Sequence, residues 1–244
     1  MSQPAPFLCI GHRGASGYEP ENTLRSIRRA LELGVDGIEI DVYFVDGELV
    51  VFHDSKLDRT TNGRGYLRHK TFAQLRELDA GCGEQIPTLR EVFLTVNRRA
   101  FLNIELKGRR TAAPVEALIR EFIQDRGWSY EDFLVSSFQR RELRMIADPG
   151  IRIGLLLTRP SRLYSVSARR VRAWSVHSAL RFVTARFVDD AHRRGYKVFV
   201  YTVNSPADVA RMRKIGVDGI FTDFPDRVNP DAASLRTRPG HFAG

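Results

Sequence analysis

Four short stretches carry side chains suited to acid/base and metal chemistry: Gly11-His12-Arg13-Gly14, Glu39-Ile40-Asp41, His53-Asp54 and Asn103-Ile104-Glu105-Leu106-Lys107. Glu39 and Asp41 are two residues apart, as are Glu105 and Lys107, so on extended backbone each pair points to one face. Three carboxylates gathered without a counter-charge repel one another. A hard divalent cation resolves that, and an all-oxygen donor set favours Mg²⁺ or Ca²⁺ over Zn²⁺. Two imidazoles titrating near neutrality, His12 and His53, can serve as general acid and general base. Cleavage of a phosphodiester needs both, because an alkoxide leaves poorly unless protonated. Arg13 could clamp a phosphate oxygen with its planar fork, and Lys107 could add a point charge. The Gly11 and Gly14 pair shows only a tight loop, with no GxGxxG or Walker pattern.

Each of these residues has a plainer reading. A single carboxylate is often paired with one of the many arginines, and a lone histidine is more often a core or surface residue than a catalyst. His69, His177, His192 and His241 take that plainer reading. His12 and His53 differ because both follow apolar runs that end at the carboxylate cluster.

The elements that must position these groups alternate along the chain. Apolar runs at residues 7–10, 37–42, 100–106, 133–137, 152–157, 172–176, 197–202 and 219–222 read as strands. Helical patterns lie between most of them, at residues 23–33, 113–125, 185–194 and 206–215. Such alternation implies an α/β fold with a parallel sheet, and eight strands in 244 residues favour closure into a (β/α)₈ TIM barrel. Barrel active sites collect at the C-terminal ends of the strands, which is where the four stretches fall. A further apolar run at 49–52 follows Asp46-Gly47, a hairpin turn signal, so residues 43–53 read as a β-hairpin above the barrel. Residues 54–89 carry two Gly-rich turns and one short helical pattern at 72–78, and read as a compact cap inserted after the second strand. Thr88 and Glu91 form a capping box opening the next helix. Gly34-Val35-Asp36-Gly37-Ile38 recurs as Gly216-Val217-Asp218-Gly219-Ile220, with Asp41 and Asp223 each three residues on. The echo reads as two equivalent helix–loop–strand units, Gly34 and Gly216 ending the helices. A single domain over residues 1–244 is expected, with a tail from about residue 230 that frays and an Arg-rich, solvated loop at 159–172.

Composition narrows the class. With 43% apolar and 27% charged residues the chain can bury a substantial core. No apolar run reaches the roughly 20 residues of a membrane span, so no stable membrane anchoring is expected. Residues 1–6 lack the basic and apolar regions of an export signal, and Cys9 and Cys82 form no CxxC pattern. A cytoplasmic location is the expectation. The net charge of +9 favours anionic partners in general, but no aromatic-interleaved basic stripe or nucleic-acid module is present, so nucleic acid is not an expected partner.

Taken together and in order, the four stretches, with Pro20-Glu21-Asn22-Thr23, resemble the glycerophosphodiester phosphodiesterases. The likeness continues through Leu57-Asp58-Arg59-Thr60-Thr61, Ile86-Pro87-Thr88-Leu89, Ser136-Ser137-Phe138, Thr202-Val203-Asn204 and residues 216–223, covering residues 10–226. The resemblance implies a TIM barrel that hydrolyses small glycerophosphodiesters to glycerol 3-phosphate and an alcohol. It maps His12 and His53 onto the acid/base pair, and Glu39, Asp41 and Glu105 onto the ligands of a divalent cation. Arg13 and Lys107 fall on phosphate-contacting positions, and Asp54, Glu21 and Asn22 on supporting ones. Tyr201 stands where the family commonly has Trp, and is expected to line the pocket. The nearest alternative is a lysophospholipase D using the same site; a catalytically silent phosphodiester-binding barrel and a sugar isomerase are more distant ones.

Overall fold

The computed structural model describes residues 7–159 and 163–228. Element ends follow local chemistry. The Thr23 hydroxyl accepts from the Ser26 amide at 3.2 Å and opens α1 (Leu24–Glu32). Gly34, at φ 74°, lets the chain turn from that helix into β2 (Gly37–Val45). Asp46 and Gly47 both have positive φ, the condition for a two-residue hairpin, and β3 (Glu48–Val51) returns antiparallel to β2.

The remaining strands are β1 (Leu8–His12), β4 (Phe101–Leu106), β5 (Phe133–Ser137), β6 (Arg152–Leu157), β7 (Ser175–Ala179), β8 (Lys197–Tyr201) and β9 (Gly219–Thr222). Between them run α2 (Phe72–Arg76), α3 (Leu89–Val96), α4 (Ala112–Arg126), α5 (Arg140–Leu143), α6 (Tyr164–Arg170), α7 (Ala185–Arg193) and α8 (Pro206–Lys214). Eight strands pair in parallel in the order β1-β2-β4-β5-β6-β7-β8-β9, and β9 closes onto β1. The expected TIM barrel with a hairpin after its second strand is therefore present.

Apolar residues divide into three groups by position. Ile38, Ile40, Ile104 and Val135 point outward and pack with Ile27, Phe93 and Phe122 from the helices. Leu8, Ile10, Phe101, Leu134, Phe199 and Phe221 fill the barrel interior. A separate cluster of Val45, Val50, Phe52, Leu57, Leu67, Leu75, Ala80 and Ile86 ties the hairpin to residues 54–89. The cap thus has a small core of its own, and burying each of its larger side chains contributes about 1.5–3 kcal/mol. The Thr88–Glu91 capping box forms as expected at α3.

Two expectations are corrected. The strand read at 172–176 begins at Ser175, because the Ala173 amide still bonds the Ala168 carbonyl at 2.9 Å and Arg172 sits in the left-handed region. The stretch 159–172 holds α6 rather than only loop, with Tyr164 and Ala168 buried against the barrel. Its residues 160–162, and the tail from 230, lie outside the described residues.

His177 is fully buried, its Nε2 2.9 Å from the Ser175 hydroxyl, and burial lowers its pKa to about 3. Its ring fits because Gly154 is bare: a Cβ there would lie 2.7 Å from it. The folded protein keeps this histidine neutral while the unfolded chain protonates it near 6.5, so stability falls as pH drops through that value. At pH 5 the loss is about 2 kcal/mol for one such proton. Urea denaturation of His177→Gln should therefore show a smaller drop between pH 7 and pH 5 than the parent; equal drops would assign the acid sensitivity elsewhere.

Candidate active site

The parallel register of β2 and β4 sets Glu39 level with Asn103 and Asp41 level with Glu105. Alternation then turns all four side chains inward. Glu39, Asp41 and Glu105 are buried, and each offers a carboxylate oxygen within 4.8 Å of the others. Burial, then Asp41 and Glu105, pushes the Glu39 carboxyl well above the usual carboxylate range against the opposing pull of Arg13. Burial and Asp41 raise Glu105 to about 7 although Lys107 opposes them. Lys107 sits 2.9 Å from Glu105 and 3.4 Å from Asp41. Burial lowers its pKa less than Asp41 and Glu105 raise it, so it stays charged.

Two fixed cations, Lys107 and Arg13, do not relieve this crowding fully, as the raised carboxyls show. The donors fit a divalent cation on chemical grounds: all are hard oxygens, buried, and close enough to share one ion. The Asn103 Oδ1 atom, also buried, lacks a hydrogen-bond partner and adds an uncommitted oxygen to the same wall. Asn22 holds Asp41 from behind, donating from Nδ2 at 2.9 Å while its Oδ1 accepts the Asp41 amide at 3.2 Å. Arg13 and Asn22 both take left-handed backbone, easier for asparagine than for arginine. That turn brings the Arg13 amide to 2.9 Å from Glu39 Oε2.

Each histidine is backed by a carboxylate at Nδ1. His12 lies 2.7 Å from Asp223 Oδ1, and His53 2.5 Å from Asp54 Oδ1. Asp223 also accepts from Ser16 at 2.8 Å and from Asn204 at 2.6 Å, and its own amide donates to Asn204. Burial would raise the Asp223 carboxyl, but His12, Asn204 and Ser16 together outweigh it and the pKa falls to about 2. Arg59, then His53, holds Asp54 near 2. Burial lowers the His53 pKa below 6.5, and Arg13 and Lys107 add to that against Asp41. With Nδ1 engaged, Nε2 is the ring nitrogen left for a substrate.

His12, Arg13, Glu39, His53, Asn103, Glu105, Lys107, Phe138 and Tyr201 line one cavity of about 250 Å³. Tyr201 does reach it; its hydroxyl bonds the Leu157 carbonyl at 2.9 Å and its ring meets Phe138 edge to face. Asp41, Asp54, Glu21 and Asn22 stand behind these groups. Glu21 accepts from Arg13 at 2.7 Å. Every residue put forward in the sequence as a catalytic, metal-ligating, phosphate-contacting or supporting group is thus in or beside this cavity. Asp223 stands in the sequence as the echo of Asp41 and at the end of a matching stretch, and nothing local marks it as the partner of a histidine 211 residues away. Asn204 and Arg59 are visible there only as parts of longer matching stretches.

The glycerophosphoryl diester phosphodiesterase family model matches residues 12–227. A glycerophosphodiester phosphodiesterase of Caldanaerobacter subterraneus subsp. tengcongensis is 40% identical over 235 residues, 90% of this chain and 95% of that one. That of Bacillus altitudinis is 36% identical over 89% of this chain and 95% of its own length. An Oleispira antarctica phosphodiesterase, solved with the product sn-glycerol-3-phosphate, superposes with a TM-score of 0.83 at 31% identity, covering 94% of this chain and 97% of that one. Sequence, fold and the carboxylate-lined mouth agree: the chain belongs to the glycerophosphodiester phosphodiesterase family.

Proposed function

We propose that the chain hydrolyses glycerophosphodiesters to glycerol 3-phosphate and an alcohol, with His12 and His53 as its acid/base pair. The observation that carries this reading is the convergence on one cavity of two carboxylate-backed histidines, three buried carboxylates, Arg13 and Lys107. Glu39, Asp41 and Glu105 would hold Mg²⁺ or Ca²⁺, which when bound supplies positive charge against the phosphoryl oxygens. Arg13 and Lys107 bind the same anionic group and fix its orientation.

His53, whose lowered pKa keeps it neutral near pH 7, accepts the nucleophile's proton at Nε2. Asp54 holds the ring in place and stabilises the imidazolium that forms. His12, braced by Asp223, donates a proton to the departing alkoxide oxygen. The nucleophile is water, or the glycerol 2-hydroxyl with a cyclic phosphate as intermediate; recovery of that cyclic species after brief reaction distinguishes them. The exposed Phe138 ring at the cavity edge is the feature that favours a lysolipid as substrate. Turnover of lysophosphatidylcholine faster than glycerophosphocholine would select that reading.

Three outcomes are expected. Glycerol 3-phosphate release from glycerophosphoethanolamine should stop on chelation and return with Mg²⁺ or Ca²⁺; release that survives exhaustive chelation would remove the cation from the reaction. His12→Ala and His53→Ala should each lower kcat by about 10²–10⁴-fold with the folded circular dichroism spectrum retained, and a variant keeping most activity takes that histidine out of the mechanism. The acid limb of kcat/KM should lie below pH 6.5, since His53 must be unprotonated to act and its pKa is lowered from that value; a midpoint above 6.5 would contradict His53 as base.

A further inference from the structure

Arg59 lies outside the catalytic cavity yet touches the groups behind two of its walls. Its Nε donates to Asp54 Oδ2 at 2.6 Å, while Nη1 and Nη2 donate to the two oxygens of Glu21, each at 2.7 Å. Asp54 in turn holds His53, and Glu21 holds Arg13. One guanidinium therefore spans the supports of the candidate base and of the phosphate-binding arginine.

We propose that Arg59 is a positioning residue that sets the His53 imidazole and the Arg13 guanidinium in register through Asp54 and Glu21. Its side chain is 50% exposed, and its three short charge-assisted bonds all run to carboxylates that themselves hold site residues. A planar guanidinium fork presents its donors to two carboxylates in a fixed geometry, which an ammonium on a flexible stem does not. The arrangement also gives the cap a link to the chemistry. Leu57 and Phe52, on either side of Asp54 in sequence, sit in the cap core, so the loop that carries Asp54 and Arg59 is anchored there. A more open cavity of about 460 Å³, lined by Arg59, Glu21, Thr60, Thr61 and Asp79, meets the Arg59 side chain from the solvent side. It leaves room for a small cation to replace a missing guanidinium.

This inference rests on the acid/base reading above, so His53→Ala and Arg13→Ala are assayed beside it. Arg59→Met should lower kcat and raise KM, together reducing kcat/KM by about 10- to 100-fold, with the Tm of the parent. Arg59→Lys should recover part of the loss, and guanidinium added to Arg59→Ala should restore activity in a saturable way. Asp54→Asn should reproduce the kcat loss and Glu21→Gln the KM rise, and adding Arg59→Met to either should not deepen the effect it already has. Wild-type kcat and KM in Arg59→Met, or losses that multiply in both double variants, would overturn the proposal. So would a fall in activity matched by a fall in Tm, with no rescue by lysine or guanidinium. If His53→Ala and Arg13→Ala stay active, the acid/base reading fails instead. Inactive His53→Ala and Arg13→Ala beside an unaltered Arg59→Met would refute Arg59 alone.

Discussion

Three carboxylates crowded inside the mouth of a barrel are the constraint around which this structure is organised. At an effective dielectric of about 20, two unit charges no more than 4.8 Å apart, as oxygens of Glu39, Asp41 and Glu105 are, repel by about 3.5 kcal/mol or more. Burial adds a desolvation cost for each ionised group. The response is visible in layers. Lys107 and Arg13 sit against the carboxylates, Glu21 against Arg13, Arg59 against Glu21, and Asp54 against Arg59. Charge thus alternates in sign from the carboxylates through Arg13, Glu21 and Arg59 to Asp54, which holds His53.

The insertion after β2 gives that alternation a frame. β2 runs on to Val45, beyond its partners in the barrel, and turns back through Asp46 and Gly47. The returning chain delivers His53 and Asp54 to the mouth. Its apolar positions split: Leu49 and Val51 pack with the barrel and its helices, while Val50 and Phe52 pack with Leu57, Leu67, Leu75 and Ile86 in a cluster of their own. A separately buried cluster lets the residues at its edge be polar without weakening the barrel beneath.

Much of this was legible in the sequence because it is local. The alternation of Glu39 with Ile38 and Ile40 fixes which way the carboxylate faces, and the Asp46-Gly47 turn fixes where the hairpin closes. The strand before the seventh helix starts later than its pattern suggests because Val171, Ala173 and Trp174 are apolar enough to read as strand, yet the closing bonds of α6 still hold Arg172 and Ala173. The contacts of His12 were illegible for a different reason. Its partner is brought up by closure of β9 against β1, and no spacing rule reaches across 211 residues. Arg59 escaped notice because an exposed arginine among many looks like a solubilising charge; only its three bonds distinguish it.

Closure has a consequence in time. A chain emerging in order from its N-terminus presents His12 before the carboxylates of β2 and β4, and Asp223 only after both. All the candidate cation ligands and the whole cap would be out while His12 still lacked the carboxylate that braces it, and that carboxylate the Asn204 amide that holds it. Among the described residues, β9 is also the strand that converts an open sheet into a barrel. Completion of the fold and completion of the histidine pair are therefore a single event, and a nascent or truncated chain ending before Asp223 is left with its acids gathered and His12 unsupported.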